Sequence, residues 1–292
     1  PQGPEEDLPV YVFIHGGGNS IGSADMVPDY YGHAIASQSR LIYVSFNYRL
    51  GPLGWFTHPA LRHSSATAED ASGNYGTLDI IAALQWIQEN IASFGGDPDR
   101  VIVTGESAGG INVTSLLLSR HAVGLFSHAM SQSGGTLLST LEEGDAYSSM
   151  ILQKLVRADG LAGSDADAKA YIEGMSAQEI RNYLMQKDGR EILEMDSTGT
   201  AGMTGSPAVF ADGAVIPEAG YGLIAAGEQP VKVPVILGAN KHEVKLFFSF
   251  DRSFDWRSDL YQAAGKYGSM QWKASAVDSL ARSLTADPDH PP

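Results

Sequence analysis

The segment Val101-Ile-Val-Thr-Gly-Glu-Ser-Ala-Gly-Gly110 limits the possible fold more than any other part of this 292-residue chain. A short apolar strand runs straight into Gly105-x-Ser107-x-Gly109 and then into a helix-compatible stretch. A serine so placed sits on a sharp strand-to-helix turn, where a Cβ at Gly105 or Gly109 would crowd the backbone. Such a turn lifts the hydroxyl off the sheet edge and sets it at the N-terminus of the following helix. Unpaired N–H groups and a partial positive charge at that end favour a developing oxyanion. The pattern marks Ser107 as a candidate nucleophile; the plain alternative is a turn serine.

A second glycine cluster points to the same chemistry. Val10-Tyr-Val-Phe-Ile14, a run of β-branched and aromatic residues, ends in His15-Gly-Gly-Gly18. Three glycines after a strand are costly in backbone entropy and add no side-chain packing. They make sense if bare backbone N–H groups are what the site needs. An acyl-transfer site requires two or three such donors converging on a carbonyl oxygen as it becomes negative.

The order of motifs resembles the type B carboxylesterase family, the group that includes cholinesterases and bacterial para-nitrobenzyl esterases. The resemblance rests on His15-Gly-Gly-Gly18, Phe46-Asn-Tyr-Arg-Leu-Gly-Pro-Leu-Gly54, Gly73-Asn-Tyr-Gly-Thr-Leu-Asp79, Ala83-Leu-Gln-Trp-Ile87, Glu89-Asn-Ile91 and Phe94-Gly-Gly-Asp-Pro98. It continues through Gly105-Glu-Ser-Ala-Gly-Gly110, Gln132-Ser-Gly134, Ala211-Asp-Gly-Ala-Val-Ile-Pro217 and Val233-Pro-Val-Ile-Leu-Gly238. It is dense over 8–135 and 206–248 and thin between them. It implies an α/β-hydrolase fold, with a mostly parallel central sheet, helices on both faces and a helical insertion. It also implies a serine carboxylic-ester hydrolase that acts through an acyl-enzyme. In that reading Ser107 attacks, and the backbone N–H groups of Gly17, Gly18 and Ala108 form the oxyanion hole. Small-molecule esters are the substrates, and neither metal nor organic cofactor is implied.

The triad order in this fold is serine, acid, histidine. Val233 to Leu237 reads as a buried strand, being a short continuous apolar run bounded by turn residues. Glu243, just past it, resembles the family's acid, which orients the base. The sequence departs from the pattern on either side: His242 stands where an aspartate is usual, and Val244 where a glycine is usual. Of the eight histidines (His15, His33, His58, His63, His121, His128, His242 and His290), only His290 follows Glu243. It lies in the proline-rich end Asp287-Pro-Asp-His-Pro-Pro292, with no strand before it. The catalytic base is therefore expected outside this chain, in the missing remainder of a longer or nicked polypeptide.

Composition agrees with a globular enzyme. The chain is 43% hydrophobic, and no apolar run approaches the ~18 residues of a membrane-spanning helix. A net charge of −15 disfavours nucleic acid and anionic membranes as partners. The absence of cysteine excludes disulfides, a thiol nucleophile and cysteine-ligated metal. The compartment, secreted or cytoplasmic, stays open.

Strands are expected at 9–14, 41–47, 100–104, 128–132 and 233–237. A helix is expected from Leu78 to Ser93, with Ile80, Leu84, Ile87 and Ile91 forming one buried stripe. The alternation argues for a parallel sheet covered on both faces. Three segments follow: a core segment over 1–140, a helical insertion over 141–205 that could serve as lid or regulatory subdomain, and a return to the core over 206–292. Ser176-Ala-Gln-Glu179 reads as a capping box opening a helix in the insertion.

Supporting roles fall to Glu106, Ser133 and His15. Glu106 could act electrostatically in the site or cap the helix start. Ser133 matches a family position near the triad, and His15 positions the glycine loop. Asn19, where the family has an aromatic or small residue, could reach the acyl pocket. Asn112-Val-Thr114 is a glycosylation sequon by chance, since it falls in the helix behind Ser107. Two other functions share the motifs: a non-catalytic adhesion or binding member of the family, and a transacylase or amide-directed hydrolase.

Overall fold

The apolar runs of the sequence become neighbouring parallel strands in the computed structural model, which describes residues 7–196, 206–241 and Glu243. The chain divides into two compact units, Pro1–Ala239 and Asn240–Pro292, and the sheet and helices belong to the first. In chain order that unit contains β1 (Leu8–Ile14), α1 (His33–Ser39), β2 (Ile42–Ser45), α2 (Pro59–Arg62), α3 (Ala68–Ala71), α4 (Tyr75–Asn90), β3 (Gly96–Glu106), α5 (Ala108–Leu116) and β4 (His128–Gln132). These are followed by α6 (Leu141–Ala158), α7 (Asp165–Glu173), α8 (Ala177–Met185), α9 (Gly189–Met195), α10 (Gly222–Ala226) and β5 (Val235–Gly238).

The strand order is β2-β1-β3-β4-β5, and every pairing is parallel. The chain steps outward from β1 to β2, then returns to the other side of β1 with β3. The reversal falls between β1 and β3, and in open α/β sheets the crevice beyond the strand C-termini at such a switch point is where sites form. The register puts Ile14 opposite Gly105. The loop that follows β1 and the turn that follows β3 therefore leave the sheet side by side.

The core forms because β1 and β3 carry their bulk on the faces that helices cover. Val10, Val12, Ile14, Val101 and Val103 are buried together with Ile80, Leu84, Ile87 and Ile91. The apolar stripe read from the sequence is thus buried in full; α4 ends at Asn90, and Ile91–Phe94 continue as a single 3₁₀ turn. On the other face of β1 and β2, Tyr11 and Tyr43 stack with ring centroids 5.8 Å apart. Helix α4 can begin against Trp55 because Gly76 has no side chain: a Cβ there would lie 2.5 Å from the indole ring.

Residues 141–196 are helical and contain no strand. Helices α6 to α9 gather a second apolar cluster of Tyr147, Ile151, Leu152, Leu155, Val156, Ala168 and Leu184, joined by Phe56. Capping boxes open α6, α8 and α9, with the one on α8 formed by Ser176 and Glu179. Arg62 of α2 makes a bidentate contact with Asp145 of α6, tying the insertion to the core.

One strand differs from the sequence reading. The apolar run ending in Leu237 reads as buried, yet Val235, Ile236 and Leu237 are 39%, 61% and 71% exposed. Among the described residues β5 is the edge strand, paired with β4 alone. Apolar composition reports a need for cover, and this strand stays partly exposed.

Candidate active site

Ser107 lies where β3 becomes α5, with φ 56° and ψ −121°. Glycine enters that region without strain; an L-residue there stores of the order of 1–3 kcal/mol and persists only where its surroundings enforce it. Several contacts do so. The Ser107 N–H donates to the Gln132 carbonyl at the end of β4 (2.9 Å), and its carbonyl accepts from Ile111 (3.0 Å). Gly105 lies so close to Gly109 that a Cβ would sit 2.4 Å from the latter's carbonyl, and a Cβ on Gly109 would lie 2.0 Å from the Ile14 oxygen. Gly110 and Gly134 close on the Ser131 hydroxyl, to 2.8 and 2.3 Å from their would-be Cβ positions, and that hydroxyl donates to the Gly110 carbonyl (2.9 Å). The elbow is thereby clasped by β1 on one side and β4 on the other.

The glycine loop lies against this elbow. A Cβ on Gly16 would be 3.1 Å from the Ser107 Cβ and 2.7 Å from the Glu106 carbonyl. Gly17, Gly18 and Asn19 follow in succession at φ 109°, 64° and 56°. The Gly17 carbonyl closes the turn by accepting from Ser20 and Ile21. The N–H groups of Gly17, Gly18 and Ala108 take no acceptor among the described residues, and nothing among those residues is hydrogen-bonded to the Ser107 hydroxyl. Ala108 is the first residue of α5, so its N–H belongs to the unpaired first turn where helix polarity favours negative charge.

His15 is buried beneath the loop. Its Nδ1 bonds to the Gly16 carbonyl (2.9 Å), its ring stacks on Tyr48 with centroids 4.5 Å apart, and its Nε2 has no partner among the described residues. Burial lowers its pKa below the usual imidazole value, against the raising effect of the Gly16 bond, and so favours the neutral ring. The Tyr48 hydroxyl donates to the His15 carbonyl (2.7 Å) and approaches the Asn19 Oδ1 (3.4 Å). Burial raises the pKa of that phenol, keeping it a donor.

Asn19 does not line an acyl pocket. Its side chain turns inward to Asn112 on α5 in a reciprocal amide pair, 2.9 Å in one direction and 3.3 Å in the other. Tyr48, Asn112 and Ser131 were the supports that the motif reading missed. The one available signal was that Asn19 and Asn112 are amides in otherwise glycine-rich or apolar surroundings.

Glu106 ends β3 with its carboxylate near Gly16, and its charge adds to burial in raising the Tyr30 phenol pKa. The N-cap of α5 is Ser107, so Glu106 does not occupy that position. Ser133 follows β4 at φ 50°, and its N–H donates to the Gly238 carbonyl at the end of β5 (2.7 Å). Glu243 lies in the second unit, where its carboxylate accepts from the Asn240 N–H (2.6 Å). His242 and His290 lie outside the described residues. His58 caps α2, His63 bonds the Pro59 carbonyl, His121 faces Glu69 and His128 contacts Ser127. The described residues contain no group of three or more His, Cys, Asp or Glu side chains placed to hold a metal ion. No helix among them is long and apolar enough to cross a membrane.

Residues 1–285 match the model of the carboxylesterase family. The para-nitrobenzyl esterase of Bacillus subtilis is 37% identical over 251 residues, which is 86% of this chain and 47% of that protein. The human cocaine esterase is 37% identical over 238 residues, covering 81% of this chain and 37% of that one. The fumonisin B1 esterase of Sphingopyxis macrogoltabida is 48% identical over 141 residues, 48% of this chain and 25% of its own. Among solved structures, the carboxylesterase EST55 of Geobacillus stearothermophilus at pH 6.2 aligns with TM-score 0.71 and 30% identity, over 96% of this chain and 57% of that one. A PNB esterase aligns with TM-score 0.70 and 29% identity, over 98% and 58%. The fold is that of the α/β-hydrolases, and the chain spans half or less of the length of these curated relatives.

Proposed function

The chain belongs to the carboxylesterase family, and from that premise we propose that it carries the nucleophile half of a serine carboxylic-ester hydrolase. The observation that carries this reading is Ser107 held at φ 56° beside a glycine loop in which the Gly17 and Gly18 N–H groups have no acceptor among the described residues. A strained serine with no catalytic use would be replaced by glycine at a gain in stability.

In the proposed reaction the Ser107 Oγ adds to the ester carbonyl. The N–H groups of Gly17, Gly18 and Ala108 stabilise the oxyanion as it forms. A histidine that the described residues do not bring to Ser107 takes the hydroxyl proton and returns it to the leaving alcohol; Glu243 orients that ring. Water then attacks the acyl-enzyme, and the same histidine accepts its proton as the carboxylic acid leaves. Glu106 and buried neutral His15 support the loop and elbow, and Ser133 fixes the turn after β4. The segment 141–205 serves as a helical wall or lid beside the site. Small-molecule esters are the proposed substrates.

The test is intact-mass analysis of the protein after exposure to a fluorophosphonate, beside a Ser107→Ala variant. A single adduct that disappears in the variant, with turnover of p-nitrophenyl esters, is the expected result. No adduct from folded protein that includes the histidine-bearing segment would overturn the nucleophile and leave a binding-only family member. Product transfer to an added alcohol or amine in preference to water would instead identify a transacylase.

A further inference from the structure

We propose that Asn19 and Asn112 form a latch that positions the oxyanion loop against the elbow; this rests on the hydrolase reading above. Both side chains are buried, at 3% and 1% exposure. Asn112 Nδ2 donates to Asn19 Oδ1 at 2.9 Å, and Asn19 Nδ2 donates to Asn112 Oδ1 at 3.3 Å. A buried primary amide is stable only when its donor and acceptor are both satisfied, and each of these satisfies the other.

The two residues lie at the places that would need joining. Asn19 directly follows Gly17 and Gly18 and continues their left-handed backbone at φ 56°. Asn112 stands one helical turn after Ala108, so it shares that residue's face of α5. The latch thus connects the segment bearing two of the proposed donors to the helix bearing the third. The rest of the loop is fixed at both ends. Tyr48 holds the carbonyl of His15 at its start (2.7 Å), and the Gly51 N–H holds the carbonyl of Asn19 at its end (2.6 Å). Between these anchors the residues are glycines, which have no side chains of their own to fix them. An oxyanion hole works only if its donors are already in place when charge develops, and the amide pair supplies that placement. Asn19 and Asn112 are positioning residues, since neither side chain reaches the reacting atoms. The same pairing leaves the Asn112 amide closed to glycosylation.

The experiment compares wild type with Asn19→Ala, Asn112→Ala, the double variant and the isosteric Asn112→Asp. Three quantities are measured: steady-state hydrolysis of p-nitrophenyl butyrate, the rate of fluorophosphonate labelling, and hydrogen exchange of the peptide covering 15–22. Each single alanine variant is expected to lower kcat and the labelling rate about 10- to 100-fold with KM within about threefold, since what is lost is transition-state stabilisation. The double variant should be no worse than either single one, because the two residues act as a unit. Exchange over 15–22 should quicken in every variant, including Asn112→Asp, which keeps shape and one acceptor but loses the 2.9 Å donor. If kcat stays within twofold of wild type, if losses multiply in the double variant, or if exchange does not change, the latch is overturned. A wild type that includes the histidine-bearing segment and fails to label overturns the hydrolase reading and the positioning role with it. A wild type that labels beside variants that label equally well overturns the latch alone.

Discussion

Replacing Ser107 by glycine should stabilise this protein while abolishing its reactivity. At φ 56° and ψ −121°, the residue occupies backbone space that side chains rarely enter. The strain is of the order of 1–3 kcal/mol, and glycine removes it. Against that gain, glycine in the unfolded chain loses more entropy on folding, at a cost of about 0.5–1 kcal/mol. Removing one half-buried carbon forfeits less than about 0.8 kcal/mol. The central expectation is therefore a net gain of about 1 kcal/mol. For a domain of this size that corresponds to a Tm increase of roughly 2–4 °C. Ser107→Ala is the control, because it removes the hydroxyl and keeps the Cβ that makes the conformation costly. Thermal denaturation of the three proteins, with fluorophosphonate labelling beside it, reads both quantities. Both variants should fail to label, with the glycine variant alone melting clearly above the alanine variant. A glycine variant that melts at or below the alanine variant would refute the claim that the elbow stores backbone strain.

Two further predictions follow from the packing. Gly109→Ala places a Cβ 2.0 Å from the Ile14 carbonyl oxygen, a backbone atom of the central strand that cannot step aside. The expected loss exceeds about 3 kcal/mol, whereas Gly124→Ala, with nothing within 4 Å but φ 79°, should lose only about 1 kcal/mol. Equal Tm values for these two variants would contradict the close approach of α5 to β1. The other prediction concerns acid. Burial lowers the pKa of both His15 and His58, so below 6.5 the unfolded chain binds protons that the native protein refuses. Their contribution is complete above pH 6.5 and is lost as pH falls from there toward the lowered native values. The His58 Nδ1 also accepts the Ala60 N–H at the start of α2, so protonation removes that cap. The Tm should fall between pH 7.5 and 5.5, and His58→Asn, which keeps a capping oxygen but cannot titrate, should fall less steeply. An unchanged slope in that variant would remove His58 from the account.

How far the sequence could be read depended on whether the needed partner was near in the chain. The runs in β1 and β3 announce themselves because a strand covered on both faces must be largely apolar. The turn at Gly105-Glu-Ser-Ala-Gly109 is equally plain, since its backbone demands are local. β3 begins earlier than its apolar run suggests, at Gly96, because Leu8 of β1 pairs there across a shift in register. That shift is a property of two strands and leaves no mark on either alone. β5 shows the converse: its composition asks for burial, but which face is covered depends on the elements beside it. Asn19 is the clearest case of information held at a distance. An amide after three glycines could point toward a substrate or toward the protein, and its partner lies 93 residues later. Ser131 and Tyr48 sit in ordinary strand and loop contexts, and their roles appear only once β4 and the His15 carbonyl are beside them.

The site's position follows from the way three strands share the work of holding one residue. β3 delivers Ser107 but cannot by itself hold it in an unfavourable conformation. β1 contributes the Ile14 oxygen against which Gly109 packs, and then the glycine loop that meets the elbow at Gly16. β4 contributes the Gln132 carbonyl that takes the Ser107 N–H and the Ser131 hydroxyl that ties down Gly110. These contributions can converge only where β1 and β3 are neighbours and the connections out of them diverge, which is the switch point of the sheet. The strain at Ser107 is thus opposed by contacts on both flanks, so separating β4 from β3 would release it with every catalytic side chain still present. The reactivity proposed for this serine is accordingly a property of the β1-β3-β4 triplet, and the residues to guard when altering this protein include Ser131, Gly110 and Gly134, none of which touches a substrate in the proposed reaction.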